Sequence, residues 1–168
     1  MAQFQLGSIS TGTLRTQDLL EAFLPYLNKE NEHAQEAQAV LERIATDTWP
    51  PGIDNLEQYL TEFNTSELLD IIMDELQELC PPFVYFGTLE GDGADFGFWP
   101  DMNRLDEALY NQTGAPHLDN VPSYCLPMHQ DYPYGEITLE DDSVIVQLSD
   151  HGNVTVMDME RNIIWSVV

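Results

Sequence analysis

The chain of 168 residues contains 30 acidic and five basic residues, which gives a formal charge of −25. Hydrophobic residues make up 43% and aromatic residues 10% of the chain. This apolar content excludes a disordered acidic tail, which buries too little surface to offset the entropy of ordering. The charge disfavours direct binding to nucleic acid or anionic membranes, and it favours a strongly basic partner such as a protein that holds nucleic acid.

Helical periodicity dominates the first half of the chain, up to about residue 79. A first helix is predicted over residues 16–27, although Pro25 leaves its last turn uncertain. Further helices are predicted over residues 31–45, over residues 54–63, and from residue 65 or 66 to a stop before Cys80.

Short strand patterns dominate the second half. Residues 83–88 and 94–99 predict a β-hairpin around a glycine-rich turn, and residues 102–110 predict a short helix with Asp101 as its cap. Residues 111–133 predict a long, proline-rich loop of the kind that is usually functional or mobile. An antiparallel meander of four strands is predicted over residues 135–139, 144–148, 154–159 and 163–168.

These elements predict an α+β fold, in which an N-terminal helical layer packs on a small C-terminal antiparallel sheet or partly open barrel. Residues 1–80 are predicted to form a helical subdomain and residues 81–168 an antiparallel β subdomain, with one shared core. Two cysteines are too few for a disulfide framework. No apolar stretch reaches the roughly 18 residues of a membrane span, and residues 1–4 lack a signal-peptide pattern, so a cytoplasmic location is expected.

The fourth predicted helix places its acids in a single row. At ~100° per residue, Glu67, Asp70, Asp74 and Glu78 fall in a narrow stripe opposite the apolar face. They span about 16 Å, or one charge per roughly 5–6 Å, against one per ~3.4 Å for a DNA strand. No cation lies between them, whereas an ordinary solvated helix face pairs Glu with Lys. The row therefore predicts a substitute for DNA phosphates, with an ordinary solvated helix face as the alternative.

Smaller groups of acids recur along the chain and are predicted to contribute to the same partner binding. A protein built to hold DNA attracts them because the guanidinium fork of Arg binds carboxylate and phosphate alike. The predicted groups are Glu30, Glu32 and Glu36; Asp101, Asp106 and Glu107; and Glu140, Asp141 and Asp142.

Other motifs carry weaker signals. Residues 90–95 are too short for a calcium loop and favour a hairpin turn. His117, Cys125 and His129 provide fewer ligands than a structural zinc site needs. His151 lies in a turn without a nearby Ser or Cys nucleophile. No catalytic residue, metal site or cofactor is predicted, and the chain is expected not to be an enzyme.

Two segments of the C-terminal half together suggest a relationship. They are residues 85–99, which contain GDGADFGFW, and residues 150–168, which contain DHGNVT and end in IWSVV. These segments resemble a family of acidic proteins, without an assigned activity, that phages, plasmids and bacterial genomes encode. The resemblance implies no catalytic residues. It implies a mobile-element setting, in which acidic DNA mimics inhibit restriction or CRISPR systems.

The leading hypothesis is a non-enzymatic DNA mimic that occupies the basic nucleic-acid groove of a host or defence protein, in the host cytoplasm if a phage encodes it. Direct binding to nucleic acid or membranes is not expected, and a homodimer is left open. Two alternatives stay open. One is a salt-adapted acidic protein with an unrelated housekeeping role, and the other is a small enzyme that depends on carboxylates or a metal.

Overall fold

A computed structural model describes residues 4–113, 135–149 and 152–167, and these residues form an α+β fold with five α-helices and two antiparallel sheets. The chain divides into two compact units. The helical unit comprises residues 7–80 and 85–99. The sheet unit comprises the described residues of 1–6, 81–84 and 100–168. The chain therefore leaves the helical unit after its helices, returns to it for a hairpin, and leaves it again.

Two of the four helices of the helical unit begin where an Asn side chain satisfies a free backbone N–H group. The Asn31 side chain accepts from Ala34 N at 3.0 Å, and the Asn55 side chain accepts from Gln58 N at 2.9 Å. The elements are β1 (Gly7–Thr11), α1 (Thr16–Phe23), a 3₁₀ turn (Leu24–Tyr26), α2 (Glu32–Thr46), α3 (Leu56–Glu62), α4 (Thr65–Glu78), β2 (Val84–Leu89) and β3 (Asp92–Pro100).

The core of the helical unit joins its helices to its sheet. Phe23 of α1 is fully buried, and its ring lies 5.1 Å from that of Phe86 on β2 and 5.7 Å from that of Phe96 on β3. Ile72 and Leu76 of α4 are fully buried in the same unit. Each such side chain stabilises the fold by about 1.5–3 kcal/mol.

Strand β1 is the element that the sequence did not predict. It pairs antiparallel with β3, which lies in the middle of the order β1-β3-β2. Its residues are mainly small and polar, so they lack the apolar alternation of a strand. The close approach of β1 to β3 depends on Gly97, because a Cβ there would overlap the carbonyl of Gly7 and lie 2.9 Å from Ser8 Cα.

The sheet unit contains a helix and a meander. The meander has the open order β4-β5-β6-β7, and each neighbouring pair is antiparallel. Trp165 is fully buried, and its indole N–H donates to Pro82 O at 2.8 Å. The elements are α5 (Met102–Thr113), β4 (Gly135–Leu139), β5 (Val144–Leu148), β6 (Val154–Asp158) and β7 (Ile163–Val167).

The predicted α+β class is confirmed, with N-terminal helices and a C-terminal sheet; among the described strands the sheet is open rather than a closed barrel. The first helix ends earlier than predicted, at Phe23, because Pro25 lies in a 3₁₀ turn. Helix α5 continues to Thr113, so the predicted loop begins later, and its residues 114–133 lie outside the described part. None of the described helices is long and apolar enough to cross a membrane.

Candidate partner-binding surface

Helix α4 holds the predicted row of acids on its exposed face. Thr65 at its start is buried and donates its hydroxyl to Leu60 O at 3.1 Å, while Leu68, Ile72 and Leu76 turn towards the core. This buried side fixes the rotation of the helix, so the opposite side faces solvent. The exposed carboxylates, called the α4 row below, are those of Glu67, Asp70, Asp74 and Glu78.

The α4 row has no compensating cation among the described residues. Ion pairs within this part of the chain involve other acids, and none includes a member of the row. Its one local bond comes from the Asn64 side chain, which donates to the Glu67 carboxylate. Like charges at i,i+3 and i,i+4 repel by a few tenths of a kcal/mol per pair. The row is therefore a local cost to the fold.

Helix α2 adds a second set of exposed acids in the same unit. Glu32 and Glu36 lie on exposed positions of this helix, and Glu30 is exposed just before it. Helix α2 packs against α4, where His33 Nδ1 donates to Glu75 Oε1 at 2.7 Å. The α2 acids and the α4 row therefore belong to two helices in direct contact.

The His33–Glu75 contact shifts the pKa of both partners. The hydrogen bond to Glu75 raises the pKa of His33 above 6.5, and the charges of Glu75, Glu32 and Glu36 add to this effect against a smaller opposing effect of burial. Burial disfavours the charged form of Glu75, but the polar side chain of Asn31 and the hydrogen bond and charge of His33 outweigh it and lower the pKa of Glu75 below 4.5. Between about pH 4.5 and 6.5, the pair is therefore an ionic link between α2 and α4.

The predicted acids of the sheet unit are more engaged in local structure. The Asp101 carboxylate caps α5 by accepting from Arg104 N at 3.0 Å. The Arg104 guanidinium lies 3.5 Å from the carboxylate of Asp142, and it also lies over the Phe83 ring at 5.6 Å from the centroid. Asp106 is half-buried and is not without an interaction partner. Glu107, Glu140 and Asp141 are exposed.

Several charged contacts were not predicted from the sequence. Glu75 was left out of the α4 acids, yet it lies three positions after buried Ile72, a spacing that already brings it near the core side of the helix. Arg161 donates to Glu136 at 2.7 Å across 25 positions of sequence, and this bond lowers the pKa of Glu136. Local spacing contains no signal for that second pair.

The weaker sequence motifs can be checked only where the structure describes them. Among them, no group of three or more His, Cys, Asp or Glu side chains is arranged to hold a metal ion. Gly91 has a φ of 88° in the β2–β3 turn, where Asp92 accepts from Ala94 N, as a hairpin requires. Burial raises the pKa of Cys80 to about 11, so its thiolate is scarce at neutral pH. The predicted candidates His117, Cys125, His129 and His151 lie outside the described residues.

Comparison of the chain with protein-family models, with curated proteins and with solved structures finds no match. The family resemblance of residues 85–99 and 150–168 stays a prediction. Function is therefore inferred from the chain's own charge and geometry, of which the α4 row is the most regular feature.

Proposed function

We propose that the chain is a non-enzymatic DNA mimic. It binds in the basic nucleic-acid groove of a host or defence protein, of restriction or CRISPR type, and blocks the access of DNA by competition. The α4 row carries this proposal, because four exposed carboxylates follow one helix face without a compensating cation among the described residues. A surface that costs folding energy is best explained by a use in binding.

The spacing of the row supports a phosphate-like reading. At ~1.5 Å of rise per residue, its members follow one another every roughly 5–6 Å, which is within a factor of two of the charge spacing along a DNA strand. Arg side chains that grip phosphates in a DNA groove bind carboxylates with the same two-pronged geometry. Long-range attraction speeds the encounter, and the affinity falls steeply with salt.

The contribution of the other acids to partner binding depends on whether they are exposed and whether they already have an interaction partner. In the helical unit, exposed Glu30, Glu32 and Glu36 extend the negative surface from α4 to the adjoining α2. In the sheet unit, Glu107, Glu140 and Asp141 are exposed and available. Asp101, Asp106 and Asp142 already have interaction partners within the chain, so we expect them to contribute less to partner binding.

The proposal is tested by capture of bacterial proteins on the immobilised full chain. A nuclease-treated lysate is applied in about 50 mM salt, and bound proteins are eluted with duplex DNA and identified by mass spectrometry. We expect DNA-binding proteins in the eluate, and we expect about 500 mM salt to prevent their capture. A variant that neutralises the α4 row (E67Q, D70N, D74N, E78Q) should lose them.

The matched control neutralises four exposed acids that the proposal does not assign to the binding surface (D47N, E57Q, E90Q, E160Q), and it has the same net charge as the row variant. It should still capture the same proteins. Equal loss in both variants would indicate nonspecific ion exchange, and failure of duplex DNA to release the captured proteins would contradict mimicry. A chain that unfolds at low ionic strength and refolds in molar salt would instead support salt adaptation.

A further inference from the structure

A groove with a volume of about 880 Å³ lies in the helical unit, between α1 with its 3₁₀ turn and one side of α2. Leu24, Pro25 and Leu27 contribute apolar surface from the first wall, and Ala34 and Leu41 contribute it from α2. This volume lies within the ~300–1,000 Å³ of typical binding clefts. The groove is therefore large enough to accept several side chains of another molecule.

The α2 wall of the groove is a continuous helix face. Its residues Ala34, Gln38, Leu41 and Ala45 recur at i, i+4, i+7 and i+11, so the wall runs along α2 for about three turns, or ~16 Å. The four residues of this face are centred roughly 170° around the helix from Glu32 and Glu36, at ~100° per residue. The groove is thus a different surface from the acids of the proposed function.

Charged side chains stand at the two ends of the groove. Glu42, near the C-terminal end of α2, and Glu21 of α1 contribute two carboxylates to the lining. Lys29, the only lysine of the chain, precedes α2 and is exposed without an ion pair to any described residue. A complementary occupant therefore has an apolar centre, positive charge near Glu21 and Glu42, and negative charge near Lys29.

We propose that this groove docks an amphipathic helix of a partner protein, with large apolar side chains at i, i+4 and i+7, with Lys or Arg at one end and with an acid at the other. A groove with apolar side chains along about three helical turns suits the apolar face of such a helix, and the charged residues at its ends favour one orientation. Binding there depends mainly on apolar burial, so it persists in salt concentrations that abolish contacts of exposed acids. The proposal is independent of DNA mimicry, because none of its residues belongs to the α4 row.

A defined peptide provides the test. We use a fluorescent peptide of about 14 residues with Leu at helix-face spacing, two Lys at one end and one Glu at the other, on an Ala background. Its affinity for the full chain is measured by fluorescence anisotropy in about 300 mM salt. A peptide of the same composition in scrambled order, which has no apolar face, should bind at least tenfold more weakly.

Ala39→Arg is the blocking variant, because Ala39 lines the groove at an exposed position where a long side chain can fill it without disturbing the core. We expect it to weaken peptide binding at least tenfold. Asn103→Arg adds the same charge at an exposed position of α5, outside the groove, and should leave binding unchanged. Circular dichroism and thermal melting verify that both variants fold.

Three outcomes overturn the proposal. Equal binding of the ordered and scrambled peptides would show attraction by charge alone. Unchanged binding to Ala39→Arg would place the peptide elsewhere on the chain. A wild-type dimer in sedimentation that Ala39→Arg converts to a monomer would show that a second copy of the chain occupies the groove.

Discussion

The α4 row of the helical unit and three acids of the sheet unit have different surroundings. In the α4 row, the carboxylates are exposed and no described cation faces them. In the sheet unit, Asp101 caps a helix, Asp142 faces Arg104, and Glu136 pairs with Arg161. The α4 row thus destabilises the fold, whereas the three acids of the sheet unit stabilise it. Net charge alone hides this difference, because it counts both groups equally.

If the α4 row destabilises the helical unit, the stability of that unit must come from its backbone packing and its apolar core. Gly97→Ala tests this requirement most strongly. A Cβ at this position would overlap the Gly7 carbonyl, so β1 and β3 must separate. We expect the free energy of unfolding to fall by about 3 kcal/mol, which lowers Tm by about 10 °C. The Cβ of Gly93→Ala, on the same strand, would meet no atom within 4 Å. A melting scan in which the two variants match would contradict this account.

Removal of one carboxylate from each unit should then separate their roles. Asp101→Ala deletes the cap of α5 and should lower the free energy of unfolding by about 1 kcal/mol. Asp70→Ala removes an exposed member of the α4 row and should cause no loss, because only repulsion is removed. Urea denaturation measures both values. A destabilisation of equal size in Asp70→Ala would mean that the row has a structural partner.

Replacement of Asp by Asn removes the charge but keeps the volume of the side chain. Such a replacement should change the free energy of unfolding in opposite directions in the two groups of acids. Asp74 has like-charged neighbours at both i−4 and i+4, so Asp74→Asn should raise the free energy of unfolding by about 0.5 kcal/mol in low salt. Asp142→Asn should lower it by about 0.5 kcal/mol, since its partner Arg104 is largely exposed. Both effects should fade in about 1 M salt. Unfolding curves at two salt concentrations check this, and effects of the same sign would contradict the comparison.

The smallest effect is expected at the link between α2 and α4, and it depends on pH. His33 contributes to the free energy of unfolding below pH 6.5, and this contribution is lost as the pH rises through its raised pKa. Glu75 contributes to the free energy of unfolding above pH 4.5, and this contribution is lost as the pH falls through its lowered pKa. The Tm difference between wild type and His33→Gln should therefore be larger at about pH 5.5 than at about pH 9. The control variant with both His33→Gln and Glu75→Gln should show a smaller pH dependence relative to Glu75→Gln alone, because only the charges of Glu32 and Glu36 then raise the pKa of His33.

Local pattern was sufficient to predict most elements of this chain. The α4 row was visible because the apolar residues Leu68, Ile72 and Leu76 fix which side of the helix is buried, and the acids fall opposite them. The four C-terminal strands were visible because turn residues separate short β-rich runs. The candidate site could be located on α4 for the same reason, although its partner could not be named from charge.

What the sequence determined by itself is the set of properties that depend on neighbouring positions: the helices, the meander, the excess of acids and their exposure along α4. Tertiary structure alone decided the pairing of β1 with β3, which depends on the absence of a side chain at Gly97. It also decided which carboxylates face a cation, as in the pairs Glu75–His33 and Glu136–Arg161. The physical reason is the same in each case, because these contacts join positions far apart in the chain, and local spacing contains no record of them.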